Sequence, residues 1–569
     1  MGEQRIASLS DLPAGALRLV KAGDKRLAVV RTGDGVFALD NACPHQGYAL
    51  VQGELKDGTV TCHWHNWKFR VRDGACVLGE ESVRSYPVRI EGDDVIADLT
   101  DPSNDEIRPR LLASLRRGIA RHEVGRMSRD VVRLLRAAAN PAELVWEAVA
   151  YGAPRAEYGW GHALATATDC LALVDRYEGD ARALPIMQGI AAITEVELRR
   201  PVRPQPAPAT SLPHDPRSAF RAAVEAEDVD RAEAMVLAAI EAGYDGDELA
   251  RWFVESVSDH HLGYGHMAIY TQKAFELVGR LGWDRAATVL PHLVPALVYG
   301  TREDKLPYMR PFMKALATLD LEKLAKVDAD PAWRDDDRRL RDALLGHEKL
   351  APVRAVERAL LDGAGVDGVL DAVVAAAAER MLRYDVRLDF DPHVEFGWLD
   401  ITHAITYANA VRWAWHRHPG PDTVRLALFS AFQANYSGRA EWKVATASGT
   451  APRTPRVEPR DDGNLQTAVE AQDEAGSVAL AAGLPLATAT DQLERAALSD
   501  RASSFIVAAH FVKTSRAAGE EAARTGDPLP VAAVARFMSA PRLERFVARN
   551  VYEAVDFVSG RRTDRENEI

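Results

Sequence analysis

Two short, matching loops near the N-terminus constrain this chain more than anything else in it. Cys43-Pro44-His45 is followed, after sixteen residues, by Cys62-His63-Trp64-His65, so each loop offers one thiol and one imidazole, as C-x-H and C-x-x-H. A Cys₂His₂ set can hold zinc, but zinc sites usually draw both Cys from one loop and both His from another. A set split evenly between loops suits a [2Fe–2S] cluster, with Cys43 and Cys62 on one iron and His45 and His65 on the other.

The flanking sequence predicts a scaffold for such loops. RLAVVRT, GVFALD, TVTCHW, KFRVRDGACVL and DVIADL are β-rich runs separated by GDG, DG and GDD turns. They predict a small β-sandwich with the ligand loops at one end. On these residues the stretch from about 5 to 98 resembles the Rieske family. Respiratory-chain members carry two further Cys in the loops, joined as a disulfide. The matching positions here are Tyr48 and Trp64, so the resemblance points to the ferredoxin or oxygenase branch. His63 reads as an exposed loop residue and not as a ligand.

Composition excludes several other classes. A net charge of −13, from 83 acidic and 70 basic residues, argues against nucleic acid or anionic lipid as partner. Of the four Cys, Cys76 and Cys170 lie far apart in different segments, so a disulfide framework is not expected and a reducing cytoplasm fits. The N-terminus shows no signal peptide, and the longest apolar run, GVLDAVVAAAAERM, is too short for a membrane span. The expectation is a soluble, cytoplasmic protein with no membrane association.

After Asp101-Pro102-Ser103-Asn104-Asp105 the pattern becomes helical, with apolar residues at i, i+3, i+4 and i+7. Pro-rich connectors at 199–217 and 446–464 interrupt it. The expected fold class is therefore a two-part α+β chain. A Rieske β-sandwich domain over 1–100 precedes a large, all-α, repeat-like helical domain over 108–569. The helical part repeats weakly: YGWGHAL and LGYGHMA align and set His162 over His266. EFGWLDITHAITYANAVRWA, with His403, and the segment carrying His510 are looser copies. Each copy reads as a helix, a turn, and a second helix with a His near its start.

Four His at equivalent places in four helix pairs can converge on a metal if the repeats close around an axis, as bundle sites do. Imidazoles with open coordination positions suit Fe(II), and oxygen chemistry is what such electrons usually feed. HHLGYGHMAIY at 260–270 and HFVKTSRAA at 510–518 resemble segments of the questin oxidase-like family, α-helical oxygenases of anthraquinone-type polyketides. In ring-opening members the resemblance implies one non-haem iron held by several His and by a CO₂-modified lysine, for which Lys513 is the matching residue. Its HLGY segment falls on His261–Tyr264 and its HAL-like segment on His403-Ala404-Ile405. Family similarity thus picks His261 in the second copy and internal repetition picks His266. At the first His-rich helix the chain offers only His162. Relatives in that family lack a Rieske domain, so the chain reads as a fusion carrying its own electron relay.

Further residues bear on the reading. Glu157, His261 and Glu395 precede YGW, LGY and FGW, which with His393 keeps a dinuclear iron site open. His416 and His418 read as a helix end, His292 as core or loop, and Trp160, Tyr264, Trp398 and Tyr407 as aromatic wall or core. Gly363, Gly365 and Gly368 spell G-x-G-x-x-G but follow a helical segment, VERALLD, so they predict an interhelical loop and no dinucleotide site. An external NAD(P)H-dependent reductase or ferredoxin must then reload the cluster. The expected function is O₂-dependent Fe(II) oxygenation, by hydroxylation or C–C cleavage, of a bulky aromatic or polyketide-like substrate. The alternative is a non-catalytic Rieske electron-transfer or redox-sensing protein with a helical interaction scaffold. Either is compatible with a homo-oligomer.

Overall fold

A computed structural model describes residues 2–391, 396–545 and 547–560. The chain divides into two compact units, Met1–Asn140 and Pro141–Ile569. It joins an N-terminal β domain to a large helical region, the two-part α+β architecture that the change of periodicity predicts.

In the first unit, β1 (Glu3–Ser8) pairs with β11 (Asp94–Asp98), which pairs with β10 (Val88–Glu91). A second antiparallel sheet runs β2 (Leu17–Ala22), β3 (Lys25–Thr32), β4 (Gly35–Asp40), β9 (Ser85–Tyr86). The third runs β5 (Glu54–Lys56), β6 (Thr59–Thr61), β7 (Lys68–Arg70), β8 (Cys76–Leu78). Register is set by two-residue turns. Asp57-Gly58, with φ of 49° and 69°, closes the Lys56↔Thr59 pair as the D-G hairpin turns of twisted sheets require. Ala28, Val30, Leu39, Leu50, Val60 and Phe69 pack into one apolar core that also takes in Cys43 and Cys62. The first ligand loop leaves the end of β4 and the second joins β6 to β7.

Two helices complete this unit: α1 (Asn104–Arg121) and α2 (Val124–Arg136). The Ser103 N–H donates to the Glu106 carboxylate at 2.9 Å, which starts α1. The pair buries Leu111, Leu115, Ile119, Met127, Val131 and Leu134. The helical pattern read from residue 108 onward therefore straddles two units, because the apolar faces of α1 and α2 are spent inside the first. Periodicity reports that a face is buried but not against which neighbour.

In the second unit four helices close a ring. They are α3 (His162–Leu173), α4 (His266–Leu281), α5 (Trp398–Arg417) and α6 (Phe505–Thr525). Each packs on the next, and α6 packs back on α3. Each is preceded by another helix: Pro141–Gly152, Gly246–Ser258, Gly365–Arg383 and Leu486–Ala497. The chain is irregular over 200–215 and 450–464. Of G-x-G-x-x-G, Gly363 lies in the turn after the helix Ala351–Leu361, whereas Gly365 and Gly368 belong to the first turns of the next helix, so the motif follows a helix and not a strand. No helix among the described residues is long and apolar enough to cross a membrane.

Candidate metal centres

The two ligand loops of the β domain are built alike. The Cys43 N–H donates to the Tyr48 carbonyl at 2.8 Å, and the Cys62 N–H to the Trp67 carbonyl at 2.7 Å, each five residues on. The fourth residue after each Cys, Gly47 or Asn66, has a positive φ of 75° or 61°. Only Gly and, at small cost, Asn take that conformation readily. Trp67 lies under the pair, so close to Gly79 that a Cβ there would sit 2.6 Å from the indole.

These loops bring their four side chains together. Cys43 and Cys62 are buried free thiols, and burial pushes the Cys43 thiol up to about 11. The His45 and His65 rings meet edge to face with centroids 4.3 Å apart, and His45 stacks on Trp67. His45 Nδ1 is buried and has no hydrogen-bond partner. Two buried thiols and two adjoining imidazoles, one with an orphaned nitrogen, fit a [2Fe–2S] cluster with a sulfur side and a nitrogen side. His63 is exposed, as is Trp64.

In the helical unit the four repeated His meet inside the ring of helices. His162 and His266 are the first residues of α3 and α4, whereas His403 and His510 are the sixth of α5 and α6. Neighbouring ring centroids lie 4.3 Å apart for His266 and His403, and 4.8 Å apart for the other three pairs around the circuit. His403 Nε2 stands 2.9 Å from His266 Nε2 and 3.0 Å from His510 Nε2. Lys513 Nζ, one turn along from His510, lies 2.5 Å from His162 Nδ1.

Hydrogen bonding alone does not satisfy this arrangement. The Nδ1–H of His266 donates to the Gly263 carbonyl, and that of His510 to the Ile506 carbonyl at 2.6 Å. These partners assign the tautomers and leave both Nε2 atoms as lone pairs aimed at His403. A ring nitrogen carries either one hydrogen or one lone pair, so His403 Nε2 can serve only one of them. A cation shared by the lone pairs would serve all, and ligand atoms of His162, His266 and His510 lie within 4.8 Å of one another.

Burial, then the charge of Lys513 and of neighbouring imidazoles, keeps His162 and His510 well below the usual imidazole range. His403 is lowered likewise, by burial and then by His266 and His510. His266 falls to about 4, and burial pulls Lys513 to about 7. All five groups are thereby biased toward neutral, electron-donating forms.

The surroundings hold this geometry. Tyr264 sits at φ 61°, ψ 28°, a left-handed conformation that is strained for an aromatic residue. It is held by Arg439, whose guanidinium donates to the Tyr264 hydroxyl at 2.8 Å and to Asp400 at 2.7 Å. Gly265 follows at φ 87°, where a Cβ would lie 2.6 Å from the Tyr407 ring. Tyr270, one turn after His266, is buried with its ring centroid 5.8 Å from that of His162 and 5.5 Å from that of His266. Two turns below the imidazoles on α3 and α4, buried Asp169 pairs with Lys273 at 2.8 Å. Sequence patterning singled out neither Tyr270 nor this pair, although both follow a repeated His at helical spacing.

His261 is not part of the cluster. It lies in the extended link before the Gly263–Gly265 turn, its Nε2 3.0 Å from Gln433 and its ring 5.5 Å from those of Tyr407 and Phe429. The second copy contributes His266 instead, because α4 begins at that residue. Glu157 is exposed and pairs with Arg200 at 3.7 Å. His393 and Glu395 lie outside the described residues. His416 bonds Asp367 at 3.0 Å, His418 caps α5, and His292 is buried beside Arg203. Trp160 and Trp398 are core residues, the first donating to the Val289 carbonyl and the second packed on Tyr384.

Comparison with known proteins agrees with the first centre. Residues 2–87 match the Rieske [2Fe-2S] domain. The ferredoxin component of biphenyl 2,3-dioxygenase from Rhodococcus jostii is 36% identical over 105 residues, which is 94% of that protein and 17% of this chain. The ferredoxin subunit of anthranilate 1,2-dioxygenase from Burkholderia cepacia is 42% identical over 71 residues, 66% of that protein and 12% of this chain. Among solved structures, the ferredoxin of carbazole 1,9a-dioxygenase from Nocardioides aromaticivorans shares 29% identity, covering 97% of that chain and 17% of this one, with a TM-score of 0.17. Through its N-terminal domain the chain belongs to the Rieske [2Fe-2S] family, and that domain is similar to the ferredoxin components of oxygenase systems.

Proposed function

We propose that the chain is an oxygenase in which the Rieske domain supplies electrons to a mononuclear non-haem Fe(II) in the helical unit. His162, His266, His403, His510 and Lys513 would hold the metal. The observation that carries this reading is the convergence of Nε2 lone pairs from α4 and α6 on His403, in a circuit of four imidazoles from four helices. Iron in such a site supplies one-electron and O₂ chemistry that side chains lack.

The chain's own residues supply the rest. Carbonyls of Gly263 and Ile506 fix two imidazole tautomers, and burial keeps the four imidazoles unprotonated at neutral pH. Lys513 in its neutral form is a nitrogen donor, or can add CO₂ and offer an anionic oxygen, as the questin oxidase-like resemblance implies. Tyr264 and Tyr270 wall the site beside His403 and His162. Oxidation of a bulky aromatic or polyketide-like substrate, by hydroxylation or C–C cleavage, fits this resemblance. It also fits the aromatic dioxygenase systems to which the related ferredoxins belong. An external NAD(P)H-dependent reductase or ferredoxin would reload the cluster.

Metal analysis with EPR on anaerobically purified protein tests the reading. Three irons per chain are expected, with a Rieske signal on dithionite reduction and a high-spin signal on adding nitric oxide. Two irons with only the Rieske signal, in fully metallated protein, would overturn it in favour of an electron relay without a catalytic iron.

A further inference from the structure

The match to the Rieske domain ends at residue 87, yet α2 in the same compact unit reaches back onto the first ligand loop. Arg129 Nε donates to Glu81 at 2.7 Å, and Arg133 bonds the other oxygen of the same carboxylate. Arg129 also points Nη1 at the His45 backbone carbonyl, at 3.4 Å, while its Nη2 is buried with no partner. The Glu81 side chain is 9% exposed, that of Arg129 25% and that of Arg133 44%. Asp130, buried beneath them, lies 3.7 Å from Arg133 and 4.0 Å from Arg126. Two cations thus share one well-buried carboxylate beside a cluster ligand. The inner cation is the one that touches the loop.

We propose that Arg129 is a positioning residue for the [2Fe–2S] cluster: anchored on Glu81, it braces the Cys43–His45 loop and raises the reduction potential. One-electron reduction adds a negative charge to the cluster. A fixed, partly buried cation nearby favours the reduced form, and a nearby carboxylate opposes it. The bidentate reach of a guanidinium, to Glu81 and to the His45 carbonyl, is a role lysine fills poorly.

Redox titration of the full chain, followed by the EPR signal of the reduced cluster, tests this. Iron, sulfide and thermal midpoint are measured alongside. Arg129→Gln should lower the potential, Arg133→Gln should lower it less, and Glu81→Gln should raise it. Arg129→Lys should stay nearer the parent than Arg129→Gln does. A merely structural clamp predicts that breaking it from either side acts in the same direction. Shifts of the same sign in Arg129→Gln and Glu81→Gln, or no shift in either at full cluster content, would overturn the proposal. Should Arg129→Gln fail to hold a cluster, opposite shifts in Arg133→Gln and Glu81→Gln would still support the electrostatic role. Their agreement in sign, or the absence of any shift, would still defeat it.

Discussion

In the β domain the four candidate ligands come from two loops within the Cys43–His65 stretch. In the helical unit the corresponding side chains come from four helices, with His162 and Lys513 separated by 351 residues. The first arrangement needs only two β-connections with the right turn residues. The second exists only once α3, α4, α5 and α6 have closed on one another. Local closure costs little chain entropy and distant closure costs more, though the cost grows slowly with length. A centre of the first kind can be recognised and transplanted as a motif, whereas one of the second kind is a property of a whole packed unit.

The sharpest way to break this comparison is to empty one centre and watch the other. Cys62→Ser should abolish the visible absorption and EPR signal of the cluster while leaving the iron proposed for the helical unit in place. His403→Ala should do the reverse. Loss of both metals in either variant would show that the two centres are not independent.

Within the helical unit, His403→Ala should weaken iron binding by more than about 100-fold, above the cost usual for an outer partner. His261→Ala should leave metal content unchanged and cost about 1–3 kcal/mol by stranding Gln433. Dialysis against a competing chelator, paired with denaturant titration, separates the two outcomes. Iron loss in His261→Ala would reinstate it as a ligand.

The lysine offers a smaller, signed effect. Its folded value of about 7 lies below its ordinary 10.5, so folding expels a proton between those pH values. Stability of the metal-stripped protein should therefore climb as pH rises above about 7, by at most about 1.4 kcal/mol per pH unit from this group. Lys513→Met should remove that slope in guanidinium melts at successive pH values. A slope identical to the parent's would show that the amine is not buried neutral.

The smallest effect belongs to the exposed neighbour of the ligand loop. His63→Ala should keep the full cluster complement and shift stability by no more than about 0.5 kcal/mol. Cluster loss there would put His63 among the ligands.

Legibility followed the same division. The spacing of Cys43, His45, Cys62 and His65 carried the first centre, and even its symmetry is written in Gly47 and Asn66. His162, His266, His403 and His510 were visible only as a recurrence, since no spacing along one helix reveals which other helices it will face. The choice between His261 and His266 depended on where α4 begins, which follows from the Gly265 turn and its approach to Tyr407. Arg129 and Glu81 gave no signal at all, because a charged pair 48 residues apart looks like any two surface groups until a helix brings them together.

The hold of Arg129 on Glu81 also has a consequence for how the protein is made. At ~5–20 residues per second of synthesis, the 48 residues between them take a few seconds to emerge. During that interval both cysteines and both histidines of the loops are already available, but the helix that will lie against the first loop has not yet been made. A cluster inserted in that window would meet an open first loop, against which Arg129 of α2 comes to rest only afterwards.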